Sequence, residues 1–516
     1  MRRYLYFTVF FSGMSTLAAE FGASRLLQTI YGSSNLVWAS VIGLILIYFA
    51  VGYRLGGRWA DRSPHPHTLF TILALGAFAL GVVPFIAQPV LRGAALAFDS
   101  LKLDAAFGAF AATLILFSVP ITLLAVTSPF VIRLQVDTPS HAGNVAGDVY
   151  ALSTLGSVIG AFLPTLALFP LIGVTLSFLL FSGIMLLVAL LGLWRVAGTR
   201  TVAPFLLMPL FVTVLALAND YRIKSTPGQI FETESAYNYI EVLEIDGTRY
   251  LRLNEGQGVH SQYHPTELFY GGPWEQFSVG PLFNNPPFSI SQVQRIAIIG
   301  LAAGTAARQA TEIYGPIPID GWEIDPKIIN IGREYFGMTL PNLNAYAADG
   351  RWGLEHSPYR YDIIVVDAYR PPYIPPHLTT QEFFAICAER LTENGVLAIN
   401  IGRAPNDRRL INDLAATIRT VLPSTHVMDL PNTFNSILFA TKQPTARDNL
   451  AFNLAALQAD PNVPRLLRAA ATVTYTSLQP DPTGGIIYTD DRSPIEWVTN
   501  SLVLNFILTG GVEELK

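Results

Sequence analysis

Seven apolar stretches lie within residues 1–218, near 4–30, 35–57, 67–90, 104–131, 148–171, 173–195 and 201–218. Each is long enough to cross a hydrocarbon core of ~30 Å as a helix. In lipid every backbone N–H and C=O must be paired within the segment, and only a helix does that for a single apolar run. Charge divides the chain at the same place. Residues 1–218 hold 11 Lys/Arg and 6 Asp/Glu, net +5, whereas residues 219–516 hold 22 and 32, net −10. The first part therefore reads as a multi-pass α-helical membrane domain of about seven helices, with the lipid bilayer of the cell membrane as its partner. The remainder is soluble and large enough for a complete enzyme core. Disorder, a collagen-like fibre and a disulfide scaffold are excluded, because apolar content is high, glycine has no period and Cys387 is the only cysteine. An acidic soluble half without Lys/Arg clusters argues against nucleic acid as a partner.

The first stretch carries Glu20 and Arg25 and lacks a clear small-residue cleavage site, so it reads as a retained span rather than a signal peptide. Unpaired charges are costly at that depth, and these two should face protein, water or each other. Gly156 and Gly160 form a Gly-xxx-Gly spacing that permits close helix approach, within the chain or with a second copy of it in a homodimer. Arg2 and Arg3, then Arg54, Arg58 and Arg62, then Arg133, then Arg195 and Arg200 fall on alternate sides of the spans and mark one cytoplasmic face. Seven crossings would leave the soluble half outside. A nucleoside substrate, argued below, would instead place it in the cytoplasm, with one segment re-entrant. The stretch GGRWADR at 56–62 looks like the short charged loops of facilitator-type transporters.

Residues 219–228 read as a polar linker, followed by two β-rich runs around Asp246-Gly247, the pattern of a hairpin. A linker and small β-domain are expected over 219–285, and a larger domain over 286–516. The larger domain alternates strands and helices. Strands are expected at 295–300, 317–324, 344–349, 362–369 and 395–401, with helices at 302–314, 326–335 and 380–391 between them. This is repeated βαβ, hence a mostly parallel sheet with its ligand at the strands' carboxyl ends.

Four of those ends carry suggestive chemistry. Gly300 and Gly304 bracket the turn after the first strand, where lack of a side chain lets a nucleoside or a sulfonium tail approach the backbone. Glu323 closes the second strand, where a carboxylate can accept ribose hydroxyls. Asp349-Gly350 closes the third and can accept an adenine amino group, and Asp367 closes the fourth. A lone acid in such a place could be a helix N-cap or a solvated loop residue; three at successive strand ends favour a shared cleft. No phosphate-binding loop is present, so a nucleoside without phosphates fits best. No zinc spacing, serine elbow or metal-carboxylate motif competes, and His260, His264 and His377 read as structural or rim residues rather than metal ligands.

The runs IAIIGLAAGTAARQA, GWEID, AADG, DIIVVDAYRPPYIPPHLTTQEFF and GVLAINI resemble the spermidine synthases, aminopropyltransferases built on the S-adenosylmethionine methyltransferase fold. SAYNYIEV with DGTRYLRLNEGQ looks like their amino-terminal β-domain, and the whole chain is similar to bacterial membrane proteins that fuse such a domain to transmembrane helices. The resemblance implies a class I, Rossmann-like α/β fold with a small β-domain. It also implies a metal-free reaction on intact or decarboxylated S-adenosylmethionine. Carried over, Glu323 would hold the ribose, Asp349 the adenine, and Asp367 would deprotonate the attacking amine, with Tyr369 beside it as a second catalytic residue that stacks on or hydrogen-bonds the substrate, and with Gln257 and Asn238, the latter in place of a family glutamine, lining the pocket. Two further positions depart from the family. Ala303 stands where its glycine loop has the aspartate that holds the donor's ammonium, and Arg370 stands where a second aspartate follows the base. A cation at 370 repels a diamine and suits a carboxylate, such as the one intact S-adenosylmethionine carries.

Three functions remain open on the sequence. One is release of 5'-methylthioadenosine by aminopropyl transfer to a polyamine acceptor, or by lyase cleavage of the donor. The second is methyl transfer. The third is a non-catalytic, nucleoside-sensing membrane transporter.

Overall fold

The structure is a computed structural model, and it describes all residues except 32–34, 101–104, 137, 219–225, 255–257, 370–373 and 509–516. The chain forms two compact units. One holds residues 1–224 with the short segment Glu234–Ala236, and the other holds Ser225–Thr233 with Tyr237–Lys516.

The first unit is mainly helical, with long helices at Arg2–Tyr31, Asn35–Arg62, Pro66–Ser100, Ala105–Ala125, Thr127–Gln135, Ala142–Leu163, Phe169–Val202 and Leu207–Ala218. Among the described residues four helical runs are long and apolar enough to cross a membrane: Val37–Arg62, Pro66–Ala87, Gly108–Gln135 and Pro139–Ala218. The last is 80 residues long, several times what one crossing needs. It breaks at Gly173 and Gly198, whose φ of 79° and 77° no helix accepts. The first helix is not among the four runs. It carries Glu20, Arg25 and a series of hydroxyls, and it lies against protein: Val9, Ala23 and Leu27 have no exposed surface. Gly156 and Gly160 serve packing within the unit. A Cβ on Gly156 would overlap the backbone carbonyl of Phe10, and one on Gly160 that of Met14, so both glycines let two helix backbones touch.

The second unit contains two sheets. The small one has the order β1 (Gln229–Glu234), β2 (Tyr239–Ile245), β3 (Thr248–Leu253), β4 (Val259–Tyr263), with β3 antiparallel to both β2 and β4. The β2–β3 turn sits at Asp246 and Gly247, both with positive φ. The large sheet holds β5 (Ile296–Ile299), β6 (Ile319–Glu323), β7 (Leu343–Ala347), β8 (Tyr361–Val366), β9 (Leu391–Gly402), β10 (Ser424–Asp429) and β11 (Asn435–Thr441), in the order β10-β11-β9-β8-β5-β6-β7. The five strands β5 to β9 run parallel, and β11 is antiparallel to both β9 and β10. This is the methyltransferase-like Rossmann arrangement expected above.

β5 and residues 363–366 of β8 are apolar at consecutive positions because both of their faces are covered, whereas the edge strand β7 leaves Asn344, Tyr346 and Ala347 exposed. On β5, Ile296 and Ile298 face one core with Ile363, Val365, Ala398 and Phe439, while Ala297 and Ile299 face the other with Ile364, Val366, Ile399 and Leu438. The chain order reverses between β5 and β8, one running on to β6 and the other to β9. That places a crevice at their carboxyl ends.

Candidate active site

Gly300 takes φ 85° at the end of β5, where a Cβ would stand 2.5 Å from the Asp367 carbonyl oxygen and 2.6 Å from the Ala368 nitrogen. Only glycine lets the β5 turn and the end of β8 come this close. The turn is pinned on the other side as well: the Gly300 and Leu301 amides both donate to the Trp322 carbonyl at 3.0 Å. Gly304, at φ 88°, begins the helix Thr305–Tyr314.

Glu323 closes β6 almost fully buried. One oxygen accepts the Ala302 amide at 3.0 Å and the other the Asp325 amide at 3.0 Å. Burial pushes its carboxyl up to about 7, against the pull of those amides. Ala302 itself has φ 46°, so the carboxylate holds an unfavourable turn in place. Asp367 ends β8 half-buried, and its Oδ1 accepts the Asn400 Nδ2–H at 2.9 Å. Burial pushes it too up to about 7, while the Asn400 amide and the Trp274 indole act in the opposite sense. A carboxylate so placed has the proton affinity of a base working near neutrality.

Asp349 is both an N-cap and a strand-end acid. Its Oδ1 accepts the Trp352 amide at 3.0 Å at the start of the helix Gly350–His356, and its Oδ2 meets His377 Nε2 at 2.9 Å. The His377 hydrogen bond holds the carboxyl below the usual carboxylate range. His377 thus has a partner at the strand-end row that the sequence did not reveal. Behind it, Arg351 donates to the His377 carbonyl at 3.0 Å and forms two bonds of 2.7 Å to the Asp490 carboxylate, which also accepts from Thr380 at 2.7 Å. Gly350 packs its bare face on Ile299.

The remaining expected site residues divide. Ala303 is buried in an apolar cluster with Ile240, Val242, Leu251, Ile328 and Phe336, and its amide donates to Ser261 Oγ at 2.9 Å. Asn238 is buried beside Asp325, donating to Oδ2 at 3.1 Å and accepting from Asn254 at 2.9 Å. It joins the small sheet to the turn after β6. The Tyr369 hydroxyl accepts the Gly402 amide at the end of β9, which ties the chain after Asp367 to the neighbouring strand. Gln257 and Arg370 lie outside the described residues.

Three contributors escaped the sequence reading: Asn400, Trp274 and Ser261. Asn400 left a signal, being the one polar residue in the otherwise apolar run VLAINI on β9. Trp274 and Ser261 left none, since each reaches the site from a distant element. Among the described residues no group of His, Cys, Asp and Glu is placed to hold a metal ion.

Residues 281–447 match the family model of the spermine/spermidine synthase domain. A probable polyamine aminopropyl transferase of Bifidobacterium longum (strain NCC 2705) is 29% identical over 280 residues, which are 52% of this chain and 61% of that protein. A polyamine aminopropyltransferase of Vibrio vulnificus (strain CMCP6) is 28% identical over 230 residues, 43% of this chain and 74% of that one. Among solved structures, a probable spermidine synthase from Corynebacterium glutamicum ATCC 13032 aligns at 19% identity with a TM-score of 0.39, over 51% of this chain and 98% of its own.

Proposed function

With a spermine/spermidine synthase domain at residues 281–447 as premise, we propose that the soluble unit binds a sulfonium nucleoside of the S-adenosylmethionine type and expels 5'-methylthioadenosine, while the helical unit anchors it in a bilayer. The observation that carries this reading is Asp367, a carboxylate raised to about 7 at a parallel-strand end, with Glu323 and Asp349 closing the neighbouring strands β6 and β7. In this reading Glu323 accepts the ribose hydroxyls and Asp349 the adenine amino group. Asp367 takes a proton from the ammonium of an acceptor. The freed nitrogen attacks the methylene next to sulfur, the C–S bond breaks, and its electron pair stays on sulfur, giving a neutral thioether. Charge is lost at the sulfonium as it forms on the new ammonium, so the acidic cleft keeps a cation throughout.

A second reading is favoured by Ala303, whose methyl group is buried in an apolar cluster and supplies no carboxylate for the donor's ammonium. Intact S-adenosylmethionine could then be cleaved without an acceptor, its own carboxylate attacking the γ-carbon and forming a lactone as the same C–S bond breaks.

Purified full-length protein should be incubated with intact and with decarboxylated donor, each with and without putrescine, and methylthioadenosine quantified. Product that requires putrescine supports transfer, and product from intact donor alone supports the lyase. Absence of methylthioadenosine from both donors sinks the proposal, and transfer of the labelled methyl group would replace it with methyl transfer.

A further inference from the structure

The helical unit has two chemically different ends. Arg2 and Arg25 both lie on the first helix, and the helix between them is ~35 Å long, about one hydrocarbon core. The helix Phe169–Val202 runs beside it in the opposite sense: the Tyr4 hydroxyl donates to the Val188 carbonyl at 2.6 Å, Ser15 Oγ donates to that of Phe181 at 3.4 Å, and a Cβ on Gly22 would overlap the Phe178 ring. Tyr4 therefore marks one end of the unit, and Arg25 with Val174 marks the other.

The Tyr4 end is the basic one. The Arg195 guanidinium lies 4.5 Å from the centroid of the Tyr4 ring, Gln135 donates to the Arg2 carbonyl at 3.1 Å, and Arg133 pairs with Asp61 at 2.9 Å. Arg3, Arg54, Arg58, Arg62 and Arg200 follow within a few turns of these residues on the same helices. Of the 11 Lys/Arg in residues 1–218, only Arg25, Arg92 and Lys102 fall elsewhere.

The opposite end holds a segment that comes from beyond the last helix. Val174, just past the break at Gly173, donates its amide to Glu234 Oε2 at 3.1 Å, and Arg25 donates to the Ser235 carbonyl. Glu234–Ala236 belongs to the helical unit, yet the chain on both sides of it, Ser225–Thr233 and Tyr237 onward, belongs to the soluble unit. The crossings agree with this placement. Among the described residues the first helix and the runs Val37–Arg62, Pro66–Ala87 and Gly108–Gln135 cross once each, and the run Pro139–Ala218, broken at Gly173 and Gly198, crosses three times. The total is odd, so Ala218 emerges opposite Arg2.

We propose that the soluble unit stands on the extracytoplasmic side of the membrane. An excess of arginine near the ends of spans is retained in the cytoplasm, and Glu234–Ala236 ties the start of the soluble unit to the arginine-poor end. This replaces the cytoplasmic placement expected from a nucleoside substrate, and no span has to be re-entrant. One consequence rests on the proposed function: a charged sulfonium nucleoside does not cross hydrocarbon unaided, so a transport step must deliver the donor to that side, and methylthioadenosine is released there.

Single cysteines read the two sides. Cys387 is fully buried, so the parent chain gives the unlabelled background. Glu393→Cys in the soluble unit and His65→Cys between the helices Asn35–Arg62 and Pro66–Ser100 are both at exposed positions. Each full-length variant is treated with a membrane-impermeant maleimide in bacterial spheroplasts, intact and lysed. Glu393→Cys should label as fully in intact spheroplasts as after lysis, and His65→Cys only after lysis. Glu393→Cys reached only after lysis, or His65→Cys labelled in intact spheroplasts, overturns the proposal. Alkaline phosphatase fused after Lys516 gives a second measurement on the parent sequence, because that enzyme needs disulfides that form outside the cytoplasm. The fusion should be active, and an inactive fusion present in the membrane also overturns the proposal. Both measurements read sidedness alone, so their outcome is separate from whether methylthioadenosine is formed.

Discussion

At the scale of single residues, the proposed chemistry turns on how Asp367 holds its proton. Its carboxyl stands near 7 rather than the usual 3.8 because burial disfavours the charge. The reactive form is the ionised one, so kcat/KM should rise with pH and level off above about 7. Asn400 donates to that carboxylate and stabilises its charged form. Asn400→Leu should therefore move the rise in kcat/KM to higher pH, which a pH–rate profile would reveal; an unmoved profile would remove Asn400 from the account. Asp367→Asn should lower kcat by ~10²–10⁴-fold. The same raised pKa has a thermodynamic side. Between the unfolded value and about 7 the folded state binds more protons than the unfolded one, so stability falls as pH rises through that window. Asp367→Asn should accordingly melt above the parent at pH 8 and close to it at pH 4, a difference that a thermal scan at the two pH values would show.

At the scale of elements, two junctions make specific demands. The chain near Asp490 holds Arg351, Arg351 holds the His377 carbonyl, and the His377 ring holds Asp349. Asp490→Ala should release this sequence of contacts at its far end, raising the KM for the sulfonium donor ~10-fold while kcat changes little, as loss of uniform binding does. Partial recovery in Asp490→Glu would separate positioning from misfolding. An equal fall in kcat would count against the network. The second junction lies in the helical unit. Because a Cβ on Gly156 overlaps the Phe10 carbonyl, Gly156→Leu should cost at least the 1–3 kcal/mol of an overpacked core. The readout is the melting temperature in detergent, and a variant as stable as the parent would mean that the two helices are not so closely apposed.

At the scale of the whole molecule, the sequence disclosed periodic and strand-end features better than those made by distant elements. The apolar stretches, the order of strands and helices after residue 295, and the acids Glu323, Asp349 and Asp367 all leave local patterns; for Asp367 it is the continuous apolar run of residues 363–366, imposed by burial on both faces and ended by a polar residue. The hydrogen bonds that set those acids leave no such pattern. Asn400 to Asp367 spans 33 residues and Ser261 to Ala303 spans 42, and no periodicity encodes a partner that far away. Asp349 shows the same limit in another form. Its N-cap role and its place in the row of strand-end acids are not alternatives but occur together, one oxygen for each neighbour.

The small sheet, finally, does more than precede the large one. Ser261 of β4 receives the Ala303 amide, and Gln262 next to it exchanges two bonds of 2.9 Å with the Thr305 hydroxyl. The turn after β5 is therefore clamped from two sheets at once, and it cannot recoil from an incoming molecule without prying β4 loose. Affinity at that turn is, on the proposed function, hostage to the integrity of a separate structural module: damage to the small sheet, far along the chain from every acid in the cleft, would be felt as a loosened grip on the proposed nucleoside.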